Sequence, residues 1–372
     1  VRVLCLCLKL CGDVLNYYMI KKYIIPFIVL VILLYRLPVS NFRLSYELLA
    51  LYGSVGVFSF YLIQKTHIIL GCFLLLCTFA SMYPLCTLTS INSLRYIVVG
   101  VVLYYAIYEL NVNKESIYNV LCIYCLTHIA FIITAKFSID LYLIYGINSN
   151  CINTGLAANI NETSALIALC TPAFLRAKWC WGLPICFAGL VLAGALGGFL
   201  SFLIIILAFF MLRGEYFRGL VLCVVILAAG LRLSHNLSIP GVSTRLGIWV
   251  DALKFYFKTG TVTGWGLGHW ASIAKKYLPY TVNGQYWSRA HNTFIQCFCE
   301  LGMPFLILLG FYVKSLISKA KDNEIFVYAL IAIFVSCSVN SAFRINALNG
   351  FIIILWLAII GRGDDNTTNQ NI

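Results

Sequence analysis

The residues best suited to chemistry are Arg245, Arg289 and His291, which stand in one polar stretch of an otherwise apolar chain. An imidazole has an ordinary pKa near about 6.5, so at neutral pH it can take a proton from a hydroxyl. A guanidinium is permanently charged and offers a planar fork of donors, which suits a phosphate or diphosphate. Residues 232–290 carry seven Lys or Arg (Arg232, Arg245, Lys254, Lys258, Lys275, Lys276 and Arg289) against one acid, Asp251. Such a segment should meet an anion. Two anions fit the charge alone, a phosphate-bearing substrate or the headgroups of a lipid surface. His291 likewise fits two roles, a base or an interfacial anchor at the start of an apolar segment.

The elements that must position these residues can be read from their neighbours. Arg245 is expected to open an amphipathic helix capped by Ser243 or Thr244 and stopped at Thr259-Gly260. Trp249, four residues on, then shares a face with Arg245. Lys254 and Lys258 suit an interfacial helix whose basic side chains reach to headgroups. Gly264, Gly266 and Gly268 in GWGLGHW lack the strand–helix context of a nucleotide loop. They are read instead as points where backbone approaches another surface closely. His269 in the same run is read as an interfacial aromatic. Upstream, residues 137–162 form a second polar loop ending in Asn161 and Glu162. Asn is a good helix cap and an acid suits the first helical turn. Glu162 is also, with Asp251, the best-placed carboxylate near the basic stretch.

Around these loops the chain is 62% hydrophobic and 10% charged, with a mean hydropathy of +0.92. That places it in lipid rather than among soluble domains. The expected fold class is all-α, a polytopic integral membrane protein of about twelve transmembrane helices with one large exterior loop. Spans are placed near 23–35, 45–63, 68–88, 94–110, 117–134, 163–175, 182–196, 198–212, 219–232, 292–313, 325–339 and 349–361. The chain divides into an N-terminal lead-in (1–22), nine spans (23–232), the large loop (233–290), three spans (291–361) and a tail (362–372). Between the seventh and eighth spans stand the small residues Gly194, Ala195, Gly197 and Gly198, which allow close helix approach.

Most of the sixteen cysteines fall inside apolar segments and read as small hydrophobes, with Cys151 in a loop. Cys122 and Cys125 form a C-x-x-C without a second pair, so zinc is not indicated. With the N-terminus inside, fourteen Lys or Arg fall on the interior side and five in the short exterior loops. The positive-inside trend therefore places both termini in the cytoplasm and the large loop outside.

The order Arg245-x-x-x-Trp249, Gly264-x-Gly266-x-Gly268, His291-Asn292 and Gly302 resembles the O-antigen ligase and polymerase superfamily of bacterial membrane glycan transferases. The resemblance covers roughly a sixth of the chain. It implies a polymerase that joins undecaprenyl-diphosphate-linked oligosaccharide units at the periplasmic face of the inner membrane. His291 would be the general base, and Arg245 and Arg289, helped by Lys275 and Lys276, would hold the diphosphate. Trp249, the three glycines, Asn292, Asn161 and Glu162 would support them. Implied partners are the lipid-linked glycan, the bilayer, a chain-length regulator and a flippase, with no nucleic acid. Many ligases of the superfamily carry an Arg near the seventh and eighth spans; here no Arg lies between Lys178 and Arg213, which weighs against the ligase. A transporter would require ionisable residues at mid-membrane depth and internal repeats, and no repeat is evident. No Asp-x-Asp, His-Glu-x-x-His, P-loop or Gly-x-Ser-x-Gly occurs, so no metal or nucleotide cofactor is expected.

Overall fold

The computed structural model describes residues 44–65, 67–82, 88–110, 112–136, 160–176, 178–233, 240–259, 261–278, 281–282, 285–286, 289–339 and 347–363. The expected lead-in, the first expected span, residues 137–159 of the second polar loop with Cys151, and residues 364–372 of the tail lie outside those residues.

The regular secondary structure of the described residues is helical apart from one antiparallel pair of two-residue strands, β1 (Thr281–Val282) and β2 (Gln285–Tyr286). The helices are α1 (Leu44–Gln64), α2 (Ile68–Met82), α3 (Leu88–Glu109), α4 (Lys114–Lys136), α5 (Ile160–Phe174), α6 (Leu183–Ala193), α7 (Leu196–Leu212) and α8 (Tyr216–Leu233). They continue as α9 (Pro240–Thr259), α10 (Trp270–Tyr277), α11 (Thr293–Leu301), α12 (Met303–Ala320), α13 (Glu324–Val339) and α14 (Ala347–Arg362). Among the described residues, three stretches are long and apolar enough to cross a membrane: Thr89–Glu109, Lys114–Thr134 and Met303–Ala320. Six more apolar helices are shorter, among them Ile68–Met82 and Leu196–Leu212. At 1.5 Å per residue a 15-residue helix such as α2 covers about 22 Å, short of a hydrocarbon core of about 30 Å.

Burial separates core helices from peripheral ones. In α5 every residue from Glu162 to Phe174 is buried, including Thr163, Ser164 and Thr171, so it has no face left for solvent or lipid. Around it α4, α7, α13 and α14 contribute Leu121, Phe202, Phe326 and Trp356 to one core cluster. A second cluster joins α1, α2 and α3 to α9, the glycine loop and α11 through Phe58, Leu74, Leu94, Tyr256, Trp265 and Phe298. By contrast α8 packs on α7 and exposes Phe217 (78%), Leu220, Val224 and Val225, the pattern of a lipid-facing helix. Close approach by small residues occurs where it was expected. α6 ends on Gly194 at φ 70°, and a Cβ on Gly198 would lie 2.3 Å from the Ser164 carbonyl oxygen of α5.

Three local expectations are corrected. The helix carrying Arg245 begins at Pro240, not at Arg245, because proline's fixed φ suits a first turn where its missing N–H costs nothing. Asn161 lies inside the first turn of α5, which starts at Ile160, and so is not its cap. The expected continuous span 292–313 is two helices, broken at Gly302 with φ 74° and ψ −162°. The break has a tertiary cause. Met303 N–H donates to the Val262 carbonyl at 2.9 Å, and a Cβ at Gly302 would lie 2.0 Å from that same oxygen.

Charged side chains that link helices gather at two ends. At one end, Lys114 Nζ donates to the Gly363 carbonyl at 2.6 Å and Arg362 to the Val112 carbonyl at 2.9 Å. Lys319 there reaches the Gly361 carbonyl, Arg176 pairs with Glu115, and Arg213 sits 3.8 Å from Glu324. At the other end stand the start of α5, the end of α13, the start of α14 and the segment leading into α11. That second end holds Arg245, Arg289 and His291.

Candidate functional site

The site begins with a short link between the basic loop and α11. Asn292 caps α11, its side-chain oxygen accepting the Ile295 N–H at 3.0 Å. Immediately before it, His291 adopts φ 52°, the single left-handed non-glycine residue among those described. That conformation costs a non-glycine residue about 1–3 kcal/mol and persists only where surroundings impose it. Such outliers cluster at sites of function.

Arg245 and Trp249 lie one turn apart on α9 and both reach out of it. The Trp249 indole N–H donates to the Ala290 carbonyl at 2.7 Å, directly beside His291. Arg245 Nη1 donates to the Val339 carbonyl at the C-terminus of α13, at 3.0 Å. Its Nε is buried with no hydrogen-bond partner. An orphaned buried donor costs about 1–3 kcal/mol, and more for a charged group. Arg289 Nη1 lies 4.0 Å from Glu162 Oε1; the Arg289 side chain is 44% exposed, whereas that of Glu162 is 6% exposed. Glu162 is in turn fixed from α14, where Asn349 Nδ2 donates to its carbonyl at 3.1 Å.

The field at His291 follows from these neighbours. Burial first, and then the charges of Arg245 and Arg289, push its imidazole down to about 4. It is therefore neutral across the physiological range and able to accept a proton. Burial also lowers the Arg245 pKa, yet a guanidinium starts so high that it stays charged. Two guanidiniums, one buried carboxylate and one neutral imidazole thus meet at a single end of the helical assembly. The arrangement can hold an oxyanion and remove a proton beside it.

The glycine run has a different place. Gly264, Gly266 and Gly268 all have positive φ, at 80°, 96° and 82°. Cβ atoms at Gly264 and Gly268 would lie 2.5 Å from the Glu300 carbonyl oxygen and 2.9 Å from that of Thr89. The loop is tied down by Trp265 N–H to Cys299 O (2.8 Å), Gly266 N–H to Glu300 O (3.0 Å) and Leu267 N–H to Ala80 O (2.9 Å). Its glycines meet protein backbone, as close approach requires. His269 precedes α10, its Nδ1 3.2 Å from the Leu267 carbonyl. Lys275 and Lys276 stand exposed on α10, with Lys276 over the Tyr277 ring, whereas the cations acting on His291 are the two arginines. Asn161 offers its carbonyl to Ser164 Oγ at 3.0 Å.

Sequence reading overlooked Gln296, Glu300 and Asn349. Glu300 and Asn349 are fully buried. A signal existed, since Gln296 and Glu300 lie four apart inside an apolar run, and polar groups there are costly unless they serve something.

The fold and site define a helical assembly with membrane-spanning character and a cationic histidine site at one end. Compared with known protein families and with curated proteins, the sequence matches neither a family model nor a curated protein.

Proposed function

We propose that this protein is an O-antigen polymerase that joins undecaprenyl-diphosphate-linked oligosaccharide units at the periplasmic face of the inner membrane. The observation that carries the reading is the convergence of Arg245 and Arg289 on a left-handed, neutral His291. The ordered resemblance described above supplies the substrate class. The end of the assembly opposite the site carries Lys114, Arg176, Arg213, Lys319 and Arg362, which supports a cytoplasmic orientation for that end and a periplasmic site. The twelve-span arrangement belongs to this same reading.

In this mechanism the acceptor sugar hydroxyl attacks the anomeric carbon of the donor glycan. A new C–O bond forms as the bond to the diphosphate oxygen breaks, and His291 takes the hydroxyl proton. Arg245 and Arg289 offset charge on the departing undecaprenyl diphosphate. Arg245 Nε, buried without a partner, is the donor that a phosphate oxygen would satisfy. Arg289 would exchange its long contact with Glu162 for the same anion.

A gene deletion distinguishes the polymerase from its nearest rival. A strain lacking the protein is expected to make lipopolysaccharide capped with a single repeat unit, because a separate ligase still transfers unpolymerised units. Bare core with accumulating lipid-linked polymer would instead assign the protein as the ligase. Electrophoresis of the lipopolysaccharide reads the difference directly.

A further inference from the structure

One buried polar network is not used by the chemistry above, and it ends beside His291. Glu300 is fully buried at the last turn of α11. Its Oε2 accepts the Gly268 N–H at 2.8 Å and its Oε1 the Trp270 N–H at 3.3 Å. The same Oε1 accepts Gln296 Nε2 at 3.3 Å, one helical turn earlier. Gln296 Oε1, from the other end of its amide, accepts the Ala290 N–H at 3.4 Å. The carbonyl of Ala290 is taken by the Trp249 indole at 2.7 Å. The Ala290 backbone is therefore held through its N–H by α11 and through its C=O by α9. The next residue is the one with positive φ.

We propose that Trp249, Gln296 and Glu300 are positioning residues that clamp the Ala290 backbone and thereby impose the left-handed conformation of His291. Gln296 suits the role because an amide donates and accepts at once, passing the anchoring of Glu300 on to a backbone N–H. Glu300 suits it because a carboxylate accepts several donors, here the backbone N–H groups of Gly268 and Trp270 and one side-chain amide. The glycine loop then acts on His291 through Glu300, which gives Gly268 a part in the site without contact to any ligand. A fully satisfied buried network of this kind rigidifies what it holds. The catalytic consequence rests on the polymerase reading, but the conformational claim does not.

The test uses the full-length protein in detergent or nanodiscs, without substrate. Trp249→Phe keeps an aromatic ring and removes only the N–H; Gln296→Leu removes both ends of the amide. With ¹³C-labelled histidine, His291 should titrate near 4 in the parent and move up toward its ordinary value of about 6.5 in both variants, as the imidazole leaves its buried position and, with it, the two arginines. A role confined to stability would lower Tm and leave that midpoint unmoved in the folded protein. A second reading uses the backbone itself. In the parent, His291→Gly should melt above His291→Ala, because glycine accepts positive φ freely. In the Trp249→Phe background that order should vanish or reverse. An unmoved midpoint in folded Trp249→Phe, or an unchanged melting order, overturns the clamp. Neither readout involves glycan transfer, so failure of the polymerase reading would leave both interpretable. Should Gln296→Leu not fold, the indole variant decides alone.

Discussion

His291→Ala should lower the rate of glycan polymerisation by about 10²–10⁴-fold at normal protein level, the usual loss when a positioned general base is removed. Among the described residues, the nearest other imidazole along the chain, His269, stands just before α10 with its own backbone contact. The pH dependence carries the sign of the same argument. In the substrate-free protein, burial and two arginines hold His291 down to about 4, so the base is present above that value and lost as pH falls through it. The acid limb of kcat/KM, which reports free-enzyme groups, should therefore lie near 4 and disappear in His291→Ala. Binding a diphosphate anion between the arginines opposes their field. The acid limb of kcat should accordingly lie higher than that of kcat/KM, closer to the range where a base works best.

Arg245→Ala should lower turnover by about 10²–10³-fold, the scale seen when one preorganised donor to a developing anion is removed. Arg245→Lys should recover little. An ammonium retains the charge but cannot keep the Val339 contact through one nitrogen while presenting a second edge of the fork to a phosphate. Because Arg245 also joins α9 to α13, Tm of both variants must be measured alongside activity. A turnover loss far beyond any loss of folded protein marks the charge as the cause. Removing this cation should also raise the His291 pKa, since Arg245 is one of the two charges that depress it. A His291 midpoint unchanged in Arg245→Ala would separate the two residues and weaken the case for one shared site.

How much of this was legible in the sequence differs from element to element. The apolar runs marked most helices because lipid-facing and core helices alike must satisfy their backbone internally. The turn at Gly194 and the close packing at Gly198 could be read because small residues have few other uses there. Arg245, Arg289 and His291 stood out by side-chain chemistry in an apolar chain. The break at Gly302 was hidden because its cause, the hydrogen bond from Met303 to Val262, joins residues far apart along the chain. Hydropathy averages over such a break and shows one span. Gln296 and Glu300 stood four apart in an apolar run, but what they hold was hidden because their partners at Ala290 and Gly268 are backbone groups with no side-chain signature. Glu162 was noticed as a first-turn acid, but its approach to Arg289 needs α5 to lie beside the entry to α11. No pattern along the chain encodes that adjacency.

The proposed reaction can be watched by reconstituting the purified protein with one undecaprenyl-diphosphate-linked repeat unit, in excess chelator. A ladder of lipid-linked polymers and stoichiometric release of undecaprenyl diphosphate are expected, abolished by His291→Ala and unaffected by the chelator. Absence of any elongation by folded wild-type protein, or elongation that stops with the chelator and returns on adding a divalent ion, would contradict it.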